Sequence, residues 1–294
     1  MKYVRATVRA AIAITAIPVF VTLAAVQGFV VGPLIKNYTL IPNMLYNSLR
    51  ALLGYKIEFK DAFNAAATPP AKGRQTWFVA NHVSVADFIV LGSKLDGTFA
   101  GKGDILKWPG AAQIARAAKY IGLRRSAEFN AQSRAKIVKN FNEGYNTIMF
   151  PEGTTTDGKK VGLFRAALPS LLYGEKAVDK ENKEVALQKT VIVQPAAIRV
   201  LEVEGKNALG NDELRNLYSA PGEENMLRMA WKWMQIKNMK IEVTLLQPLD
   251  PKDFKDAKDL MNKAALDIAA IVNPGQITFE KAAIPGQAQK PVTP

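Results

Sequence analysis

The chain has 294 residues, 48% of them apolar, which is enough to bury a full hydrophobic core. It has no cysteine and a single histidine, so disulfides and a cysteine nucleophile are excluded and a zinc site would lack its usual ligands. The formal net charge of +13 indicates an anionic partner, either a nucleic acid or the surface of a membrane.

The amino-terminal segment favours the membrane. Residues 10–35 carry no charge, and two prolines and two glycines interrupt their apolar run. The run is long enough to cross a bilayer and too long for the apolar part of a signal peptide, although Leu-Ala-Ala at 23–25 leaves cleavage open. A second apolar stretch covers residues 40–55. We predict that residues 1–55 form a membrane-embedded helical element, either a hairpin or re-entrant anchor, or a single transmembrane helix with an amphipathic linker.

Beyond this segment, short apolar runs alternate with helical patterns. Residues 56–76 have the composition of a loop. Strands are predicted at 76–80, 98–100, 120–123, 147–150, 191–198 and 240–246. Helices are predicted at 86–95, 109–120, 131–143, 168–173, 223–237 and 253–272. This alternation is typical of an α/β fold, a layered mixed sheet flanked by helices, which we assign to residues 56–273.

Two further segments are distinctive in composition. The helix predicted over 223–237 places Trp and Met among basic residues, so it fits a membrane surface as well as a core-facing position. The tail over 274–294 is rich in proline and glutamine, which predicts disorder.

The sole histidine follows a predicted buried strand in the sequence Asn81-His82-Val-Ser-Val-Ala-Asp87. Imidazole accepts a proton near neutral pH, and a nearby carboxylate can orient the ring. On a regular helix, positions 82 and 87 would lie about 140° apart. We therefore predict His82 in the turn before the helix and Asp87 in its first turn. The spacing from Ser84 to Asp87 also fits a capping box, which is a structural alternative for Asp87.

Other polar motifs also lie where strands are predicted to end. Pro151-Glu152-Gly153 follows the strand at 147–150, and Gln194-Pro195 falls inside or at the end of the strand at 191–198. In open α/β sheets, ligands bind beyond the carboxyl ends of the strands. These motifs are therefore expected to meet His82 at one edge of the sheet.

Together the motifs resemble the signatures of the glycerolipid acyltransferase family, which includes 1-acylglycerol-3-phosphate acyltransferases. Four signature-like segments occur in the family's order, and a lysine-containing segment lies between the first two. The signature-like segments are 81–87, 121–125, 150–154 and 193–198, and the lysine-containing segment is 101–110.

The resemblance implies transfer of a fatty acyl group from an acyl-CoA or acyl carrier protein thioester to the free hydroxyl of a lysolipid. No resident cofactor, metal or covalent intermediate is implied; His82 would act as general base, and Asp87 would hold its tautomer. The first expected acceptor is 1-acyl-sn-glycerol 3-phosphate. The alternatives are another lysolipid, such as a lysophospholipid or lyso-ornithine lipid, thioester hydrolysis, or a non-catalytic lipid-binding protein.

The resemblance also implies a set of substrate-binding residues. Arg124 or Arg125 would bind an anionic group of the acceptor, because the guanidinium fork matches such groups. Glu152 would position acceptor hydroxyls or the arginine, and backbone N–H groups around Gly153 would stabilise the oxyanion. The complete predicted set is Asn81, Lys102, Arg124, Arg125, Glu152, Gly153, Thr154, Arg165 and Pro195.

One residue departs from the family pattern. Thr155 stands where many members have arginine, and the Thr-Thr sequence resembles members that acylate other lysolipids. Either Arg165 supplies the missing positive charge, or the acceptor head group is not a phosphate monoester.

The expected location follows from the substrates. The acyl donors are cytosolic, so the catalytic domain is expected on the cytoplasmic face of a bacterial inner membrane, against its anionic surface. No nucleic acid partner is expected.

Overall fold

A mixed eight-stranded sheet flanked by helices forms the centre of the protein, as predicted. A computed structural model describes residues 1–61, 63, 74–107, 110–123, 127–219, 221 and 225–274. The strands are β1 Tyr55–Asp61, β2 Arg74–Ala80, β3 Thr98–Lys102, β4 Ile121–Leu123, β5 Thr147–Met149, β6 Thr190–Val203, β7 Lys206–Asn207 and β8 Met239–Leu245. The helices are α1 Lys2–Val26, α2 Gly32–Ile35, α3 Leu40–Leu53, α4 Asp87–Gly92, α5 Ala111–Ala117, α6 Ala127–Asn142, α7 Asp212–Arg215, α8 Met226–Gln235 and α9 Ala257–Val272.

The strand order places the ends of β2 and β5 side by side. The order across the sheet is β1-β8-β6-β2-β5-β3-β4, with β7 paired to β6. Strands β2 to β6 run parallel, whereas β8 is antiparallel to β6 and parallel to β1. Val79 of β2 lies opposite Met149 of β5. The residues that follow these two strands therefore emerge as neighbours at one edge of the sheet.

Both faces of the central strands are buried, which explains their continuous apolar sequences. Trp77 and Val79 point into one core cluster, which includes residues of α6 and α9. Phe78 and Ala80 point into the other, which includes residues of α4 and α8. This alternation of side chains between the two faces is the ordinary geometry of a strand.

The structure corrects two predictions of local structure. The expected loop at 56–76 begins with an edge strand, β1, whose charged side chains obscured its alternation; Glu58 forms an ion pair with Lys240 on β8, at 2.9 Å. The segment at 168–173 is a short 3₁₀ turn rather than an α-helix, because it starts at Pro169 and ends at Gly174, whose φ is +86°. The predicted disordered tail lies outside the described residues from position 275 onward.

The amino-terminal element begins with one continuous helix that packs on the α/β domain. It runs through α1, a π-helical turn at Gln27–Val31 and α2, and α3 then folds back against α1. By length and composition the helix over Lys2–Ile35 suffices to cross a membrane, and most of its apolar surface is exposed. The re-entrant and the spanning arrangement of this element both stay predictions.

Two arginines tie the start of this helix to α8. Arg5 donates to the carbonyl of Gln235 at 2.6 Å, and Arg9 donates to the carbonyl of Lys237 at 3.0 Å. These carbonyls lie at and just beyond the end of α8, where cations interact favourably with the helix dipole. The α8 helix buries Met229 and Trp233 against the core and exposes Leu227 and Trp231.

Candidate active site

His82 and Asp87 meet in the turn between β2 and α4. His82 Nδ1 lies 2.8 Å from Asp87 Oδ2, with the histidine just after the strand and the aspartate at the first position of the helix. Both residues are buried, Asp87 completely and His82 to all but 9%. The predicted juxtaposition of ring and carboxylate is therefore present in the fold, while its catalytic role stays a prediction.

The same carboxylate also caps the turn. Asp87 Oδ2 accepts hydrogen bonds from the backbone N–H groups of Val83, at 2.8 Å, and Ser84, at 2.9 Å. Asp87 thus binds both the ring and the turn, but the capping box that starts at Ser84 is not formed, because α4 begins at Asp87 with Ala86 as its N-cap. Because the turn is closed on Asp87, the ring has little freedom to leave it.

Two aromatic side chains pack against the ring of His82. Phe150 stacks on it with ring centroids 4.0 Å apart and planes 10° apart, and Phe88 approaches it edge-on at 6.1 Å. The side chain keeps 11% of its surface exposed. Since Nδ1 is bound to Asp87, Nε2 is the ring nitrogen left to face a substrate.

Glu152 and Thr156 fix the backbone of His82. Glu152 Oε1 accepts from the His82 N–H at 2.8 Å, and its Oε2 accepts from the Gly162 N–H at 3.0 Å. Thr156 donates to the His82 carbonyl through both its N–H, at 2.8 Å, and its hydroxyl, at 3.1 Å. Glu152 is 1% exposed, so the structure gives it a framework task; the predicted contact with the acceptor stays a prediction. Sequence reasoning noted the Thr-Thr pair but not this role.

Burial raises the pKa of Glu152 to about 8, from an ordinary value of 4.5. The folded protein then holds this proton more tightly than the unfolded chain does. The resulting contribution to stability is fully present below about pH 4.5 and is lost as the pH rises through about 8, by at most about 1.4 kcal/mol per pH unit. As the pH is raised from 5 to 9, we expect the unfolding midpoint of the wild type to decrease relative to that of Glu152→Gln. Glu213→Gln, the same change at an exposed carboxyl, is the control; a difference that does not vary with pH would contradict the expectation.

Gly153 and Arg165 lie together beside the histidine turn. Gly153 adopts a φ of +71°, and a Cβ added there would lie 3.1 Å from Arg165 Cζ. The positive φ favours glycine at this position, and the Arg165 guanidinium lies close above it. Arg165 itself is exposed, and its predicted binding of an anionic group stays a prediction. Thr154 follows as a half-buried residue.

The N–H of Gly153 is engaged within its own turn. It donates to the Phe150 carbonyl at 3.1 Å, because the tight turn after β5 closes on this bond. The prediction that N–H groups around Gly153 form an oxyanion hole therefore needs correction for Gly153 itself.

Two of the remaining predicted residues, Asn81 and Pro195, lie close to the pairing of β2 with β6. Asn81 engages both ends of its amide with Ile198, donating to its carbonyl at 3.0 Å and accepting from its N–H at 2.8 Å. Pro195 is buried within β6, opposite Val79, rather than at the end of the strand. Asn81 thus links the end of β2 to β6, and the predicted substrate contacts of Asn81 and Pro195 stay predictions.

Lys102 ends β3 and is exposed, with its ammonium group 3.4 Å from Asp104. Arg124 and Arg125 lie outside the described residues, so their predicted roles stay predictions. Within the described ranges, no cluster of three or more histidine, cysteine or acidic side chains is placed to hold a metal ion.

One residue at the site carried no signal in the sequence. The hydroxyl of Tyr218, which is fully buried, donates to Asp87 Oδ1 at 2.5 Å. Tyr218 lies 131 positions after Asp87 and in no signature-like segment. Only the folded chain brings the two together.

Comparisons with known proteins agree with the resemblance found in the sequence. Residues 58–199 match the family model described as Acyltransferase. The chain is 27% identical over 198 residues to a lyso-ornithine lipid O-acyltransferase of Rhodobacter capsulatus, which covers 67% of this chain and 65% of that protein. It is 25% identical over 194 residues to a 1-acyl-sn-glycerol-3-phosphate acyltransferase of Neisseria gonorrhoeae, which covers 66% and 68%. The chain thus aligns with about two thirds of the length of these relatives.

A solved structure shares the fold. The crystal structure of the 1-acyl-sn-glycerophosphate acyltransferase PlsC from Thermotoga maritima aligns with a TM-score of 0.60 over 96% of this chain and all of that one, at 17% identity. The family match over residues 58–199 and the related sequences agree that the chain is similar to acyltransferases, and the solved structure shares its fold.

Proposed function

We propose that the protein is an O-acyltransferase that moves a fatty acyl group from acyl-CoA or acyl carrier protein to the free hydroxyl of a lysolipid. The observation that carries this proposal is the His82–Asp87 pair at 2.8 Å, which occupies Nδ1 and leaves Nε2 as the ring nitrogen that does not bind Asp87. The match of residues 58–199 to the acyltransferase family model supports the reaction class.

The geometry supports a single-displacement mechanism. Nε2 of His82 takes the proton of the acceptor hydroxyl as its oxygen attacks the thioester carbonyl. The tetrahedral intermediate collapses, the carbon–sulfur bond breaks, and the imidazolium returns the proton to the departing thiolate. Asp87 holds the ring in the Nδ1–H tautomer and stabilises the imidazolium while it exists. The chain has no cysteine that could carry the acyl group, in agreement with direct transfer.

The acceptor class follows from the residues after Glu152 and from the relatives. Thr155 is 9% exposed and neutral, so it brings no positive charge to the place where many acyltransferases have arginine. Arg165 is the exposed cation that adjoins Gly153. Relatives at 26–27% identity are named lyso-ornithine lipid O-acyltransferases. We therefore place lyso-ornithine lipid first and 1-acyl-sn-glycerol 3-phosphate second.

A panel of acceptors tests this proposal. Detergent-solubilised full-length protein is incubated with labelled acyl-CoA or acyl carrier protein and with lyso-ornithine lipid, lysophosphatidate, lysophospholipids or glycerol 3-phosphate. We expect a kcat/KM for lyso-ornithine lipid at least about tenfold above that for lysophosphatidate, which is about 1.4 kcal/mol of discrimination. The reverse order would assign the protein to phosphatidate synthesis. Release of labelled free fatty acid in the presence of every acceptor would instead indicate thioester hydrolysis.

The exposed apolar helix over Lys2–Ile35 supports a membrane location. We propose that the protein sits at a bacterial inner membrane with its catalytic domain toward the cytoplasm, where the acyl donors are. Protection of the domain from external protease in spheroplasts is expected, and cleavage in intact spheroplasts would contradict the orientation.

A further inference from the structure

The segment that contains α7 makes two hydrogen bonds to the candidate site. It lies outside the residues that the family model matches. That match ends at residue 199, whereas the segment lies between positions 211 and 219. Arg215 Nε donates to the Asp157 carbonyl at 2.8 Å, in the loop that holds the His82 backbone. Tyr218 donates to Asp87 at 2.5 Å. The segment therefore contacts both halves of the site, although it belongs to neither strand-end motif.

Tyr218 completes the hydrogen bonding of the Asp87 carboxylate. Oδ2 is shared by the His82 ring and two backbone N–H groups. Oδ1 accepts from the Tyr218 hydroxyl, and the described part of the chain offers it no second donor. Hydrogen bonds to an ionised acceptor are short and about twice as strong as neutral ones. In a fully buried carboxylate, the loss of this donor would leave negative charge that no water reaches.

We propose that Tyr218 is a positioning residue for His82, acting through Asp87. Its hydroxyl holds the carboxylate in place and takes up part of the negative charge. It thereby limits how strongly Asp87 attracts a second proton to the ring. The effect on turnover rests on the proposed acyltransferase activity, whereas the effect on the ring itself does not.

The phenol is suited to this task because it stays protonated. Burial and the adjacent Asp87 carboxylate raise the pKa of Tyr218 well above its ordinary value, so the hydroxyl remains a donor at any working pH. Among the described residues, the other titratable groups near this site are Glu152, which accepts from the His82 N–H, and Tyr55 on β1, whose hydroxyl makes no hydrogen bond to it. Neither residue is substituted in Tyr218→Phe.

Tyr55 provides a matched control. It is also buried, at 2% exposure, and its ring meets that of Tyr218 edge-on with centroids 6.1 Å apart. Its hydroxyl is buried and has no hydrogen-bond partner within the described residues. Tyr55→Phe therefore removes a buried phenol oxygen from the same cluster without removing a hydrogen bond to Asp87.

The sole histidine of the chain makes the test direct. Protein labelled with ¹⁵N-histidine gives one set of ring nitrogen signals, which report the tautomer and the titration of His82. We expect Tyr218→Phe to raise the titration midpoint of the ring by about half to one pH unit, because the carboxylate keeps more of its charge. Tyr55→Phe should match the wild type. Equal midpoints in wild type and Tyr218→Phe would overturn the proposal.

Activity gives the second readout. In Tyr218→Phe, kcat is expected to fall about tenfold with KM unchanged, and the acidic limb of the pH–rate profile to move with the ring titration. An unshifted acidic limb would overturn the proposal. If the wild type transfers no acyl group to any acceptor, the proposed function fails, but the ring titration still decides the role of Tyr218.

A second approach covers the case in which Tyr218→Phe does not fold. Tyrosine is replaced throughout by 3-fluorotyrosine in the Tyr55→Phe background. The fluorinated phenol is the stronger donor, so it should lower the titration midpoint of His82, the direction opposite to that of Tyr218→Phe. An unchanged midpoint would count against the proposal.

Discussion

Replacing His82 with alanine is expected to lower acyl transfer by about 10³-fold or more while the protein stays folded. His82 is the only histidine in the chain, so no other imidazole can take its place. The fold should tolerate the change because Asp87 keeps its donors from Val83, Ser84 and Tyr218. Turnover with labelled acyl donor, together with the unfolding midpoint and the membrane-bound fraction, measures both parts of the expectation.

His82→Asn separates basicity from hydrogen bonding. The asparagine amide N–H can still donate toward Asp87, but it has no nitrogen that accepts a proton. It should therefore be as inactive as His82→Ala. If either variant keeps more than about 5% of wild-type turnover, His82 cannot supply the general-base effect that a catalytic imidazole contributes.

The meeting of the motifs at one edge of the sheet was predictable from sequence. The strands before His82 and Glu152 are apolar on both faces, so they read as buried parallel strands, and parallel strands share a carboxyl edge. The five-residue spacing from His82 to Asp87 excluded a shared helical face and required the turn that the structure shows. These conclusions rest on local patterns of apolar residues and residue spacing, which can be recognised in the sequence.

Other features depend on contacts between distant segments. Tyr218 has no pattern around it that distinguishes it from an ordinary core tyrosine, and its partner lies 131 positions away. The two hydrogen bonds of Asn81 with Ile198 were likewise not predictable, because the residues lie 117 positions apart. Edge strand β1 was hidden because its charged residues make ion pairs that exist only once β8 lies beside it.

The basic residues that precede the uncharged run at 10–35 illustrate the same limit. In sequence, positive charges there predict only which side of a membrane they prefer. In the structure, Arg5 and Arg9 are bound to carbonyls at the end of α8. That interaction could not be inferred without knowing where α8 ends in space, because nothing in the spacing of the arginines specifies it.

Asp87→Asn is expected to lower kcat by about 10³- to 10⁴-fold with the fold preserved. The amide oxygen can accept from the His82 ring and the two backbone N–H groups that now bond to Oδ2, and the amide nitrogen can donate to the Tyr218 oxygen. The geometry is therefore retained while the negative charge that stabilises the imidazolium is lost. The measurement is kcat at saturating acceptor, with circular dichroism and the unfolding midpoint to verify the fold.

Asp87→Ala provides the contrast because it removes the acceptor as well as the charge. It leaves a ring N–H, two backbone N–H groups and the Tyr218 hydroxyl without their partner in a buried turn, at a cost of about 3–5 kcal/mol of stability. The alanine variant should therefore unfold well below the asparagine variant. If Asp87→Asn kept activity within tenfold of the wild type, Asp87 would act by orienting the ring alone. The charge would then have to come from elsewhere, and Glu152, whose raised pKa favours the neutral form near neutral pH, is poorly suited to supply it.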